Sequence, residues 1–430
     1  MNMGSDISGL YKLKPEERFR TIARASGIDE DKLKGFLPGS SAMELLDGMI
    51  ENVVGTFEIP IGIATNFIIN GREVLVPMAI EEPSVVAAAS KAAKIARRTG
   101  GFTTSSTEPV MIGQVQVTSI DNIEEASEAI EKAKSELMAI ANDRDPVLVK
   151  FGGGLKDIGI RKLKGDMGDM IVIHLLVDCR DAMGANAVNT MAEALAPELE
   201  RLTGGRVVLR IISNLAVHRL SRAAAVFPKD ELGGDEGVDL ILWAQSLARV
   251  DPFRASTHNK GVMNGVSAVV RATGNDTRAV EAGVHSYAAH GGGYGPVTSY
   301  HRDDNGDLVG SIEIPTAVGL VGGATKVHPA ARSAVELLGV KTARELGEIL
   351  AAVGLAQNLA ALRALSHEGI QKGHMKLHAR NLALQAGAEP HEVEEVVARM
   401  IGEGSLTASS AEDILRRMRD SDRHPSRKYN

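Results

Sequence analysis

Cysteine is almost absent. Cys179 stands alone in 430 residues, so no disulfide can close within the chain, and a reducing, cytosolic setting is expected. Aromatic side chains make up only 3%; Ala, Gly and Val are abundant instead, which suits close contact of helices with helices and sheets. No uninterrupted apolar run approaches the roughly 20 residues that a bilayer demands. The first residues, MNMGSDISGLYKLKPEERFR, lack the apolar core of a signal peptide. The expectation is a soluble chain with no membrane partner. A basic surplus is missing too: 48 Lys and Arg face 55 Asp and Glu, a net charge of −7, which argues against nucleic acid as a partner. Internal repeats and low-complexity tracts are also missing.

The length exceeds what one hydrophobic core usually supports, so two or more domains are expected. With 44% hydrophobic and 24% charged residues, the chain has the composition of a folded protein. Short helices are predicted to about Asp47, then a hairpin in FIINGREVLV with Asn70-Gly71 at its turn. EEPSVVAAASKAAKIARRTGG reads as a helix: Pro83 suits the first turn, Arg97 and Arg98 the last, and Gly100 stops it. From Pro109 the pattern changes. PVMIGQVQVTSI alternates as a strand, the segment from Asn122 to Asn142 reads as one amphipathic helix, and PVLVKF reads as a strand entering Gly152–Gly154. GDMIVIHLLVDC is a strand, a tight turn leads into an Ala-rich helix, and RVVLRIIS is a further strand. Residues 110–213 are therefore expected to form a compact α/β unit inserted in a larger domain. Beyond Ser213 the chain reads as mostly helical, with a turn between short strands at Asp304–Asp307 and helices after Gly373.

Several residues stand in chemically suggestive places. The turn VDCRDAMGAN precedes a helix, and a helix N-terminus exposes unpaired N–H groups that suit phosphate. Gly184 would let a ligand approach the backbone, and Asn186 or Asp181 would cap the helix or meet the ligand. An ordinary capped strand–turn–helix accounts for the turn equally well. Asp145, with Asp143, precedes PVLVKF, where a carboxylate can bond a ribose hydroxyl and repel a 2′-phosphate; Arg144 would do the opposite. Glu82, beside Glu81 and Pro83, serves either the helix dipole or proton transfer. Lys260, among Thr257, His258, Asn259 and Asn264, can stabilise an oxyanion, and Arg254 offers a fork for a carboxylate. Asp276 reads as a helix cap or as the third member of a network with Lys260 and Glu82. His374 and His378 share the spacing of a zinc motif, but Met375 stands where the catalytic Glu would be and Lys376 adds an unhelpful charge; no metal is expected.

Taken together, ENVVG (51–55), VPMAIEEPSVVAAAS (76–90), GGFTTSS (100–106), DAMGAN (181–186), THNKGVMNG (257–265), GNDTRAVEAG (274–283), VGLVGGATKVHP (318–329), GLAQNLAALRAL (354–365) and GHMKLHARN (373–381) resemble class II 3-hydroxy-3-methylglutaryl-CoA reductase. The resemblance implies an α/β (α+β) fold. A large, mostly helical domain (1–109 and 214–372) binds the CoA thioester, a small inserted domain (110–213) binds the nicotinamide cofactor, and a helical flap follows (373–430). It implies reduction of hydroxymethylglutaryl-CoA to mevalonate and CoA by a cytoplasmic homodimer with active sites at the subunit interface. The catalytic set it implies is Glu82, Lys260, Asp276 and His374. Ser84, Arg254, Asn264, Asn358 and His378 are implied to contact the hydroxymethylglutaryl part, and Asp181, Met183, Gly184 and Asn186 the cofactor. Asp145 turns the expectation toward NAD(H), with NADP(H) as the other possibility. Another NAD-dependent oxidoreductase on an α/β scaffold would explain the DAMGAN turn but not THNKG or GHMKLH.

Overall fold

A computed structural model of the chain describes residues 4–39, 41–368 and 379–423. Two compact units divide it, Met1–Ala361 and Leu362–Asn430. The first opens with helices α1 (Pro15–Ser26), α2 (Glu30–Leu33) and α3 (Met43–Asp47). A hairpin of β1 (Ile61–Ile69) and β2 (Arg72–Ala79) follows. Asn70 and Gly71 form its two-residue turn, both at positive φ (48° and 77°), the geometry that matches the twist of the flanking strands. Helix α4 (Val85–Arg97) packs on this hairpin through Val85, Ala89, Ala92, Ala93 and Ala96, small residues that bring its backbone close to β1.

Residues 110–213 form a four-stranded sheet in the order β5-β6-β4-β7, antiparallel throughout: β4 is Val110–Thr118, β5 Gly154–Gly165, β6 Gly168–Asp178 and β7 Arg206–Ser213. Helices α5 (Ile123–Lys132), α6 (Lys134–Asn142) and α8 (Ala185–Thr203) share one core with it, including Val115, Ile130, Leu137, Ile173, Leu175, Met191 and Leu195. The short helix α7 (Pro146–Lys150) lies between α6 and β5. A second four-stranded sheet runs β3-β8-β10-β9, with β3 at Thr103–Ser106, β8 at Leu220–Phe227, β9 at Thr298–Arg302 and β10 at Leu308–Pro315. Around it stand α9 (Gly234–Val250), α10 (Pro252–Ala272), α11 (Thr277–Ala289), α12 (Gly323–Val327), α13 (Pro329–Leu338) and α14 (Ala343–Arg363). The class is mixed helix and sheet with antiparallel strands.

Helix α10 is the spine of this unit. Its inward positions Val262, Val266, Val269 and Val270 are fully buried, and a Cβ on Gly265 would lie 2.9 Å from Gln357 and 3.1 Å from Val353. Gly265 therefore lets α14 close on α10. The helical stretch Ala343–Ser366 is long and apolar enough to cross a membrane by length and composition, but 67% of its most apolar window is buried within the chain, as in a core helix. The second unit is helical at 379–385, Val393–Gly402 and Ala408–Arg423, joined by a core that includes Ala383, Val396, Met400, Ile414 and Leu415.

Three local expectations are corrected. PVLVKF is the helix α7 instead of a strand, because Asp145 caps it by accepting from the Leu148 amide (2.9 Å) and Pro146 supplies a ready-made first turn. Val147 (64% exposed) and Phe151 (73%) point outward, while Leu148 packs against the core. The single helix expected over 122–142 is two, parted at Ala133 (φ −87°, ψ 0°). Strand β8 lies where the chain beyond Ser213 is expected to be mostly helical. In β8, three alanines weaken the β-branched signal on which strand recognition rests.

Candidate active site

Strand β2 ends at Ala79, whose carbonyl accepts a hydrogen bond from the Arg271 guanidinium of α10 (3.0 Å). This tie holds the segment 80–84 alongside α10. Lys260 and Asn264, four residues apart, lie on one face of that helix, and both reach Glu82. The Lys260 Nζ is 2.6 Å from Oε2, and the Asn264 Nδ2 donates to Oε1 at 3.4 Å. The Lys260 side chain is 59% exposed and that of Glu82 35%, so the pair is open to an incoming ligand. An ammonium has three N–H bonds; with one directed at Glu82, the others are available to a developing oxyanion.

Glu82 precedes α4 and spans to α10, which sets aside the helix-dipole reading: the first turn of α4 holds no acidic residue. Between them Ser84 adopts φ 72°, the left-handed region that a non-glycine residue enters at a cost. It occupies the N-cap of α4 without capping it, and its exposed hydroxyl has no partner among the described residues. Arg254 is in the first turn of α10, where Asp251 accepts from its amide (3.2 Å). Its half-buried guanidinium has no hydrogen-bond or ion-pair partner among the described residues, and burial pulls its pKa below the ordinary value.

Lys260 belongs to the middle of a long helix. Asp276 caps α11 through the amides of Arg278 (2.9 Å) and Ala279 (3.1 Å), and its second oxygen meets the Arg278 guanidinium at 3.1 Å. Within the single chain its hydrogen bonds go there and not to Lys260. Asn358 is only 1% exposed, and its amide is spent inside the protein: Oδ1 accepts from Thr298 (3.0 Å) and Tyr300 (2.9 Å), and Nδ2 donates to the His258 carbonyl (3.3 Å). His374 and His378 lie outside the described residues.

The turn between β6 and α8 has its own geometry. Gly184, at φ 109°, is the N-cap of α8, and no side chain caps that terminus. A Cβ on Gly184 would sit 2.4 Å from the Cys179 Sγ, so only glycine fits. Cys179 is buried beneath it, and that burial pushes its thiol up to about 11. Asp181 caps a different helix, accepting from the Ala343 amide at 2.8 Å, and Asn186 is exposed on the first turn of α8. Met183 is held by its backbone, its carbonyl accepting from Arg219 at 3.0 Å. The first amides of α8 thus lack side-chain caps, the arrangement that suits a pyrophosphate.

A family profile described as hydroxymethylglutaryl-coenzyme A reductase matches residues 14–379. The chain belongs to that family. A 3-hydroxy-3-methylglutaryl-coenzyme A reductase of Archaeoglobus fulgidus is 56% identical over 417 residues, 97% of this chain and 95% of the relative. A probable reductase of Borreliella burgdorferi is 37% identical over 89% of each chain. Among solved structures, a 3-hydroxy-3-methylglutaryl-coenzyme A reductase of Streptococcus pneumoniae superposes with a TM-score of 0.81 at 40% identity, covering 96% of this chain and 99% of its own. A class II reductase structure from the same organism, bound to NADPH in open conformations, gives 0.80 at 40% identity, covering 95% of this chain and all of its own. Against this hydroxymethylglutaryl-coenzyme A reductase background, the sequence reading overlooked Thr298 and Tyr300. The alternation in TSYHR places both on one face of β9, a signal that polar residues hide because a buried face is expected to be apolar.

Proposed function

We propose that the chain reduces 3-hydroxy-3-methylglutaryl-CoA to mevalonate and CoA, a four-electron reaction that draws on two reduced nicotinamide cofactors. The observation that carries the reading is the contact of Lys260 and Asn264 with Glu82 in a chain of this family. The cofactor supplies a hydride in each of the two reductive steps. Arg254 pairs with the substrate carboxylate through its free guanidinium, and Ser84, Asn264 and His378 hydrogen-bond the rest of the hydroxymethylglutaryl group. Lys260 holds the oxygen of the thioester carbonyl as it turns into an oxyanion, and Asp276 supports the charge around it. The hemithioacetal of mevaldehyde then collapses. His374 protonates the departing CoA thiolate, a task suited to an imidazole near neutral pH. In the second step the Glu82–Lys260 pair delivers the proton to the aldehyde oxygen.

Residues 110–213 are proposed to bind the cofactor, with its pyrophosphate at Gly184 and Asn186 and the uncapped amides of α8, and with Met183 beside it. Asp181 shapes the turn from below. Asp145, which caps α7, is assigned the ribose of the cofactor, where a carboxylate would disfavour a 2′-phosphate and so favour NADH over NADPH. The large part of the first unit is proposed to bind the CoA thioester, and residues 373–430 to supply the flap that carries His374. A cytosolic homodimer fits an exposed apolar stripe: Trp243 (74% exposed), Leu247 (50%), Val250 (79%) and Phe253 (85%) run along α9 into the first turn of α10, next to Arg254.

The test is a spectrophotometric assay in both directions with NADH and NADPH. Oxidation of two cofactors per hydroxymethylglutaryl-CoA, and cofactor reduction that requires both mevalonate and CoA, are expected. Cofactor turnover indifferent to the thioester would overturn the reading in favour of another oxidoreductase.

A further inference from the structure

Residues 258–260 divide between the two sides of α10. Lys260 faces out to Glu82, while His258 (1% exposed) and Asn259 (0%) face in. Asn259 spans the end of the glycine-rich segment 291–296: its Nδ2 donates to the Gly295 carbonyl (2.9 Å), and its Oδ1 accepts from the Val297 amide (3.1 Å). His258 Nε2 is 2.6 Å from the Thr298 hydroxyl. The direction of these bonds follows from donor counting. The Asn358 Nδ2 faces a carbonyl, so its Oδ1 is the acceptor for both hydroxyls, Thr298 and Tyr300. With its one proton given to Asn358, the Thr298 oxygen must accept from His258, which fixes the imidazole as the Nε2–H tautomer. A closed ring results: His258 to Thr298, Thr298 to Asn358, and Asn358 back to the His258 carbonyl. Tyr300, 3% exposed, bonds the same amide oxygen from β9.

All of these partners are uncharged. Burial brings His258 down to about 4, so it is neutral over the working range, and burial also raises Tyr300. Charge neutralisation therefore does not explain the ring. Apolar residues would fill the space with fewer unmet bonds, for His258 Nδ1 has no partner among the described residues. What directional bonds supply and apolar packing does not is a fixed helix phase. They stop α10 from turning about its axis relative to β9 and α14, and thereby fix where the outward face points.

We infer that Thr298, Tyr300 and Asn358 are positioning residues: through His258, beside Asn259 with its own bonds to the Gly295 and Val297 backbone, they set the rotation of α10 that brings Lys260 and Asn264 onto Glu82. The inference rests on the proposed role of Lys260, and it moves Asn358 from substrate contact to support.

The test pairs Thr298→Val, which keeps the volume and deletes the hydroxyl, with Thr298→Ser, which restores it; Tyr300→Phe is the second deletion. Thr298→Val should lose about tenfold or more in kcat for both hydroxymethylglutaryl-CoA and free mevaldehyde, with KM for the thioester within about twofold of wild type. Thr298→Ser should recover most of kcat. A raised KM with unchanged kcat would return the cluster to substrate binding and overturn the inference, as would a Thr298→Val enzyme with wild-type kcat. A crystal structure of Thr298→Val supplies a readout independent of turnover. The Lys260–Glu82 contact should be broken there, and a contact retained at its wild-type length would contradict the inference. An inactive wild-type enzyme would defeat the proposed reaction instead, while the crystal structure would still decide the positioning.

Discussion

Lys260 and Glu82 are 178 positions apart in sequence, and their side chains meet at 2.6 Å. One comes from the middle of a buried helix and the other from the end of a hairpin strand, and the Arg271 guanidinium on the Ala79 carbonyl keeps the two elements in register. Because the pair is solvent-accessible, it contributes little to stability, of order 0–1 kcal/mol for an exposed ion pair. Its placement is better explained by chemistry than by folding.

The proton for the leaving sulfur is assigned to His374. His374→Gln should cripple turnover of the thioester while sparing reduction of free mevaldehyde, which has no thiolate to protonate. Steady-state kinetics with both substrates check this. Equal losses would remove the assignment.

Asp145 caps α7 and is proposed to face the cofactor as well. Asp145→Ala should raise kcat/KM for NADPH relative to NADH and cost about 1 kcal/mol of stability through the lost cap. Kinetics with each cofactor and urea unfolding read the two effects separately. An unchanged cofactor ratio would confine Asp145 to the cap.

Gly184→Ala places a methyl group against the buried Cys179 sulfur at a left-handed position. A loss of about 1–3 kcal/mol from overpacking is expected, together with a raised KM for the cofactor and little change in KM for the thioester. Thermal unfolding and cofactor titration measure both.

Stability should fall on the acid side in two stages. His258 drops from an ordinary 6.5 to about 4 in the folded chain, chiefly through burial. Between those values the unfolded chain takes up a proton that the folded chain refuses, so stability decreases as pH falls from 6.5 toward 4, by on the order of 3 kcal/mol in all. Glu73, hydrogen-bonded by Arg97, is lowered from 4.5 to about 2, so its contribution, present above 4.5, is lost as pH falls through that second window. Denaturant titrations across pH check the order. Replacing His258 with Gln should flatten the first stage and leave the second.

Legibility followed the range of the forces involved. The hairpin at Asn70-Gly71, the helix ending at Gly100 and the glycine turn before α8 were readable because local backbone geometry dictates them. The helix α7 was misread because its apolar run suggested burial, although the Asp145-Pro146 start already encoded a helical turn. Beside Lys260, Gly261 and Gly265 carry no explanation in the sequence itself. Gly265 makes room for α14, a reason visible only once the two helices are packed. Likewise the resemblance implies a ligand contact for Asn358, and its partners Thr298 and Tyr300 become neighbours only through the fold. Motifs pointed to the candidate residues, and three-dimensional packing divided those at the surface from those behind them.

Lys260→Ala, assayed on hydroxymethylglutaryl-CoA and on free mevaldehyde with unfolding followed in parallel, tests the central claim most directly. The account predicts a loss of about 10²-fold or more in kcat for both substrates, with stability within about 1 kcal/mol of wild type. Near wild-type turnover of either substrate by a folded Lys260→Ala enzyme would contradict it.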